Sequence, residues 1–153
     1  MTDKRQARQP PISNADFVRL AAFRHALRRF LRFSESAAAR VGVTGQQYQA
    51  LLSIRGGSPD GRMSINDLAA HLLIKHNSAV GLVDRLVQDD LVVREASSAD
   101  RRKVQLRVTG RGHQVLSRLA TVHRAELQRV GPLMERFFSE LSHPAAAGRR
   151  RRA

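Results

Sequence analysis

Four consecutive charged residues, Asp100-Arg101-Arg102-Lys103, lie between two short β-type runs, and two amphipathic helix patterns precede them. Residues 91–95 form the first run. In the second, Val104, Leu106 and Val108 alternate with Lys103, Gln105 and Arg107, the period-two signature of a strand with one buried face. The two runs pair as a hairpin whose tip is 96–102. Arg101, Arg102 and Lys103 then sit on a thin, protruding β element. The order helix, helix, basic hairpin restricts the chain to a mainly α fold with a small β-hairpin wing.

The helix pair has a readable design. Ser64 with Asp67 makes a capping-box-like start. Ile65, Leu68, Ala69, Leu72 and Leu73 then follow at i, i+3, i+4, i+7 and i+8. After a tight connection at 74–76, a second helix over 77–89 turns Ala79, Leu82, Val83, Leu86 and Asp90/Leu91 inward. Asn77, Gly81, Asp84 and Gln88 lie opposite, flanked by Ser78 and Arg85. This is the layout of a helix-turn-helix. A major groove about 12 Å wide admits one α-helix, whose N-terminal residues reach base edges. Asn77 and Ser78 carry suitable donors and acceptors, and Lys75 and His76 add phosphate or base contacts. Ser64 and Arg85 complete the candidate surface. The plain alternative is two core helices with a solvated face. The hairpin favours the nucleic-acid reading, because a basic tip suits the negative potential of a narrow minor groove. Asp100 is placed to restrain one arginine by a bidentate pair.

The rest of the chain supplies flanking helices. Residues 1–12 read as a disordered arm. A helix capped by Ser13 or Asn14 carries Phe17, Leu20, Phe23, Leu27, Phe30 and Leu31, more aromatic surface than a small domain needs, so a partner is expected on it. Thr44-Gly45-Gln46-Gln47 is a capping box opening a short helix that buries Tyr48, Leu51 and Leu52 and stops at Gly56-Gly57. Ser58-Pro59-Asp60-Gly61 is a turn. Thr109 caps a long helix that Gly131-Pro132 is expected to break, leaving a last helix with Leu133, Met134, Phe137, Phe138 and Leu141. Residues 143–153 read as a basic disordered tail. The expected plan is one domain over 13–142, with a winged helix-turn-helix lobe at 42–112 and flanking helices at 13–35 and 113–142.

Composition narrows the function. The chain has 27 basic and 13 acidic residues, a formal net charge of +14. Removing the four arginines of the tail and two net charges near the N-terminus still leaves a surplus of eight. Such a charge favours a polyanion, through counterion release. Cysteine is absent, which excludes disulfides and thiolate metal sites. No apolar run has membrane-span length and the N-terminus carries no signal-like stretch, so a cytoplasmic protein with no membrane partner is expected. The six histidines, His25, His71, His76, His113, His123 and His143, include no i, i+4 pair. With no phosphate loop or nucleophile elbow either, no catalytic residue, metal ligand or cofactor is assigned and the chain is not read as an enzyme. Two rivals stay open: a non-specific architectural DNA protein, and a metal-sensing regulator using clustered histidines.

From 42 to 119 the chain resembles the MarR family of winged-helix transcription factors. The likeness rests on Val43-Thr44-Gly45-Gln46-Gln47-Tyr48, Ser64-Ile65-Asn66-Asp67-Leu68-Ala69, Val83-Asp84-Arg85-Leu86, Asp100-Arg101-Arg102 and Leu106-Arg107-Val108-Thr109. The resemblance implies a homodimer joined through its N- and C-terminal helices, binding double-stranded DNA at a palindromic operator, as a repressor relieved by a small aromatic or phenolic effector. It also implies that the helix from Asn77 is the recognition helix, Arg102 the minor-groove arginine and Asp100 its positioning partner. The effector pocket is expected near Phe23, Phe30 and Tyr48. The chain departs from the family in having Val80-Gly81 where a hydroxyl residue and an arginine are frequent.

Overall fold

The computed structural model describes residues 11–97, 100 and 102–142. The order of elements over these residues is α1 (Asn14–Arg40), α2 (Gly45–Gly56), β1 (Arg62–Met63), α3 (Ile65–Leu72), α4 (His76–Gln88), β2 (Val92–Ala96), β3 (Val104–Val108) and α5 (Gly110–Ser142). The fold is mainly α with a three-stranded antiparallel sheet of order β1-β3-β2. The chain divides into two compact units, one of residues 31–126 and one formed by the chain ends up to Phe30 and from Leu127.

The 31–126 unit is built around β3. Leu106 and Val108 are buried on its inner side, with Leu51, Ile54, Leu68, Leu82, Leu86, Leu91 and Leu119 around them. Full burial of one such side chain contributes roughly 1.5–3 kcal/mol. β2 pairs along β3 from Val92↔Val108 to Ala96↔Val104, which sets the hairpin register. The expected hairpin is present, but Val104 is 50 % exposed, because it lies beyond the helices that cover Leu106. β1 had no counterpart in the sequence reading. Two residues are too few to show a period, and Arg62 and Met63 become a strand only by pairing with Arg107 and Leu106.

Three helix ends share one backbone device. After α1, Gly42 takes φ +79°, with the Val43 N–H donating to the Ala38 carbonyl and the Gly42 N–H to the Ala39 carbonyl. The α1 helix therefore runs past the expected end near residue 35, through Ala37, Ala38 and Ala39, to this stop. After α3, Leu73 takes the left-handed position (φ 54°), and the Ile74 N–H donates to the Ala69 carbonyl. After α4, Asp90 does so (φ 55°), and the Leu91 N–H donates to the Leu86 carbonyl. Two expectations are corrected as a result. Leu73 continues the apolar stripe in sequence yet is 93 % exposed, and Asp90 is exposed while Leu91 alone turns inward. Once the backbone goes left-handed the helical phase is lost, so a 3.6-residue projection fails at that residue.

The caps follow the sequence. Thr44 Oγ1 accepts from the Gln47 N–H at 3.1 Å and Gln47 Oε1 from the Thr44 N–H at 2.9 Å. Ser13 caps α1 through Oγ, with Asp16 reaching back to the Ser13 N–H, so Asn14 is the first helical residue. Thr109 Oγ1 accepts from the Gly112 N–H and donates to the Asp90 carbonyl, which ties the start of α5 to the end of α4. Gly57 ends α2 without a positive φ; a Cβ there would come within 2.5 Å of the Ser53 carbonyl oxygen and overlap Met63 Cε. In α2 the inward residues are Tyr48, Leu51 and Ile54, whereas Leu52 is 47 % exposed, one residue off that face. His123 of α5 is buried: Nδ1 lies 2.7 Å from the Leu119 carbonyl and Nε2 2.7 Å from Ser34 Oγ. A carbonyl only accepts, so Nδ1 carries the proton. The imidazole also lies 4.5 Å from the Tyr48 ring centroid.

In the unit of chain ends, Phe23 packs edge-on to Phe137 and Phe138, at centroid separations of 6.2 and 5.6 Å. Arg19 bridges Asp16 and Glu140. Here the expected break at Gly131-Pro132 is overturned, because α5 is continuous through Pro132. Proline removes one hydrogen bond to the carbonyl four residues back. The apolar residues on both sides of it share one face, and packing Phe137 and Phe138 on Phe23 holds the helix together. Residues of the expected arm before Pro11 and the tail from 143 lie outside the described residues.

Gly112 is the most constrained position in the lobe. A Cβ there would overlap the Leu91 carbonyl oxygen and come within 2.7 Å of Val108 Cγ1. Gly112→Ala is expected to destabilise the fold by about 3 kcal/mol, read as a lower denaturation midpoint with an unchanged slope.

Candidate nucleic-acid interface

The α4 helix presents its candidate residues as the sequence suggests. Ala79, Leu82, Val83 and Leu86 are buried, and Lys75, His76, Asn77, Ser78, Asp84, Arg85 and Gln88 are exposed. Lys75 is the N-cap residue and gives no side-chain cap hydrogen bond. The first-turn N–H groups, which have no intrahelical acceptor, thus face outward beside a cation, a combination that suits a phosphate. Ser64 is differently employed. Its Oγ accepts from the Asp67 N–H at 3.1 Å and donates to Asp67 Oδ2 at 2.6 Å, so its hydroxyl is engaged in capping α3.

The wing brings Asp100, Arg102 and Lys103 to one tip. Lys103 N–H donates to the Asp100 carbonyl at 2.9 Å, and Ser97 N–H to the Lys103 carbonyl at 2.8 Å. Asp100 Oδ1 accepts from the Arg102 backbone N–H at 3.0 Å. The aspartate therefore acts on Arg102 through the turn backbone. The Arg102 and Lys103 side chains are exposed. Arg101 lies outside the described residues.

Two ion-pair groups were not legible in the sequence. Arg94 Nη2 on β2 meets Asp84 Oδ1 on α4 at 2.6 Å, joining wing to helix. Glu95 on β2 accepts from Arg107 Nε at 2.8 Å and Nη2 at 2.6 Å, and its other oxygen lies 3.5 Å from Arg62 Nη2. One carboxylate thereby ties all three strands. The Arg107 hydrogen bonds hold the Glu95 carboxyl below its ordinary value. Alternation placed Arg94 and Arg107 on the outer face, but which carboxylate each meets depends on register.

Of the residues expected near an effector pocket, Phe23 and Phe30 belong to the unit of chain ends and Tyr48 to the 31–126 unit. Phe23 packs on Phe137 and Phe138, and Tyr48 is buried against His123 with its phenol pKa pushed up by burial. Phe30 is half-buried at the end of its unit. A cavity of about 220 Å³ lies within the 31–126 unit, lined by Phe33, Ala37, Val41, Leu119 and Val122 together with Arg40 and Arg118. Among the described residues no group of three or more histidines and carboxylates is placed to hold a metal ion, and no helix is long and apolar enough to cross a membrane.

This arrangement is a winged helix-turn-helix: a helix pair, an exposed second helix and a basic β-hairpin beside it. Residues 41–103 match the sequence profile of the MarR family. The MarR family transcriptional regulator AbsC from Streptomyces coelicolor is 22 % identical, with a TM-score of 0.66 over 78 % of this chain and 80 % of that one. RV1404 from Mycobacterium tuberculosis is 25 % identical, with a TM-score of 0.65 over 92 % of this chain and 87 % of that one. A mutant of S. aureus MepR, solved bound to an oligodeoxyribonucleotide, is 15 % identical, with a TM-score of 0.59 over 86 % of this chain and 95 % of that one. No curated protein sequence matches the chain.

The Glu95 cluster makes a pH prediction. A carboxyl whose folded pKa is depressed stabilises above its unfolded value and loses that stability as pH falls through the folded value. Glu95→Gln is expected to lower stability at pH 7 and to match the unsubstituted protein once pH falls well below the ordinary glutamate value near 4.5. Thermal melts at several pH values read the difference, and a gap that persists in acid would remove the ion-pair account.

Proposed function

We propose that the chain is a sequence-specific, double-stranded-DNA-binding transcriptional regulator acting as a cytoplasmic homodimer, and that it represses by occupying a palindromic operator. The observation that carries the reading is the pairing of an exposed, polar α4 face with a basic hairpin tip, on a chain of net charge +14. The DNA-bound state of the similarly folded MepR mutant supports it. In this reading α4 enters the major groove with Asn77 and Ser78 at base edges and Lys75 and His76 near phosphates. Arg102, with Lys103 and Arg101, follows the wing into the minor groove, and Asp100 shapes the turn that carries them. Ser64 contributes by fixing α3. No step of this activity needs catalysis.

Dimerisation through the chain ends is supported by apolar residues left exposed there, namely Phe17, Val18, Leu20, Leu127, Leu133 and Phe138. Burying them against a second copy would place two α4 helices in successive major grooves, about 34–36 Å apart. The 13–142 span would then work as one DNA-binding domain, with 42–112 reading and the flanking helices pairing. Relief by a small aromatic or phenolic effector is supported by the cavity beside Arg40 and Arg118, whose size suits a single ring.

Arg102→Ala is expected to weaken operator binding by about 1–3 kcal/mol, measured by mobility shift at fixed salt; unchanged affinity with an intact fold would remove the minor-groove role. Asn77→Ala is expected to flatten the preference for operator over random duplex, whereas an equal loss on both would make it a backbone contact. Leu20→Asp and Phe138→Asp are each expected to yield monomers by analytical ultracentrifugation and to lose cooperative binding of the two half-sites. Dimers that persist at low concentration would refute the interface.

A further inference from the structure

We propose that Arg85, laid across the side-chain gap at Gly81, is the main base-reading residue of α4 and selects a guanine in each half-site. The inference rests on the DNA-binding reading above. Gly81 sits on the face of α4 opposite the buried Ala79, Leu82, Val83 and Leu86. A Cβ built there would meet one neighbour within 4 Å, the Arg85 Nη1 at 3.8 Å. Long side chains on a helix lean toward its N-terminus and cover the turn before their own Cα. The Arg85 guanidinium therefore lies over residue 81, one turn C-terminal to Asn77, at the centre of the exposed face instead of its edge.

Its charge is also available there. Arg94 is committed to Asp84, and Arg62 and Arg107 to Glu95. Among the described residues the Arg85 side chain has no hydrogen-bond or ion-pair partner, and the acidic residue next to it, Asp84, is already paired with Arg94. A planar guanidinium with two parallel donors matches guanine O6 and N7 in the major groove. The missing side chain at 81 lets the helix axis approach the bases while Arg85 supplies the contact. Lysine at 85 would keep the charge and lose the fork.

The test is selection from a randomised duplex pool by the full chain, comparing the unsubstituted protein with Arg85→Lys and Gly81→Leu. Discrimination for one guanine per half-site is expected to fall about fivefold to 150-fold in Arg85→Lys, with random-duplex affinity and its salt dependence unchanged. Gly81→Leu, which fills the gap and pushes the guanidinium aside, is expected to lose the same guanine although Arg85 is present. An unaltered selected sequence in either variant overturns the inference, as does an equal loss on random duplex in Arg85→Lys, which would make Arg85 a phosphate contact. If the unsubstituted protein enriches no sequence, the specific-binding reading itself fails first.

Discussion

The burial of Leu106 and Val108 on β3 is the constraint on which the 31–126 unit depends. That strand is central in its sheet, bonded to β1 on one edge and β2 on the other, and its inner face lies in the same apolar core as α2, α3, α4 and the start of α5. Register is thereby fixed, because a slip of one residue would turn Leu106 to solvent and Arg107 into the core. With register fixed, the outer face is fixed as well. Glu95 falls where Arg107 and Arg62 reach it, and the hairpin tip falls where Asp100 can shape the turn at Arg102. The polar surface is a by-product of the apolar one.

The legible parts of the chain were those governed by local rules. The capping box at Thr44, the N-cap at Ser64, the inward face of α4 and the hairpin all follow from side-chain chemistry within a few residues. The failures have a common cause in interactions between distant segments. Leu73 and Asp90 fit an apolar period yet sit at left-handed backbone positions that the folded ends of α3 and α4 impose. Pro132 should break a helix on local grounds, but aromatic packing on Phe23 spans it. β1 is strand only because β3 is beside it.

The candidate surface was legible in the same uneven way. Exposure of Asn77, Ser78, Lys75 and Arg102 follows from their place opposite or beyond the buried stripe. Partner choice does not. The Asp84–Arg94 and Glu95–Arg107 pairs join residues 10 and 12 apart, and no spacing rule for helices or strands nominates them. The lining of the cavity beside Arg40 and Arg118 likewise joins α1 to α5 across distant parts of the sequence, and no local period nominates it.

The Asp84–Arg94 bridge has a mechanical consequence. A reader of two grooves could have jaws that swing independently, each finding its own optimum on the duplex. Here a 2.6 Å ion pair links α4 to the base of the ribbon. In the proposed function that link biases the two toward one opening, like a lightly sprung caliper, and a duplex that fits this gauge is held with the least distortion.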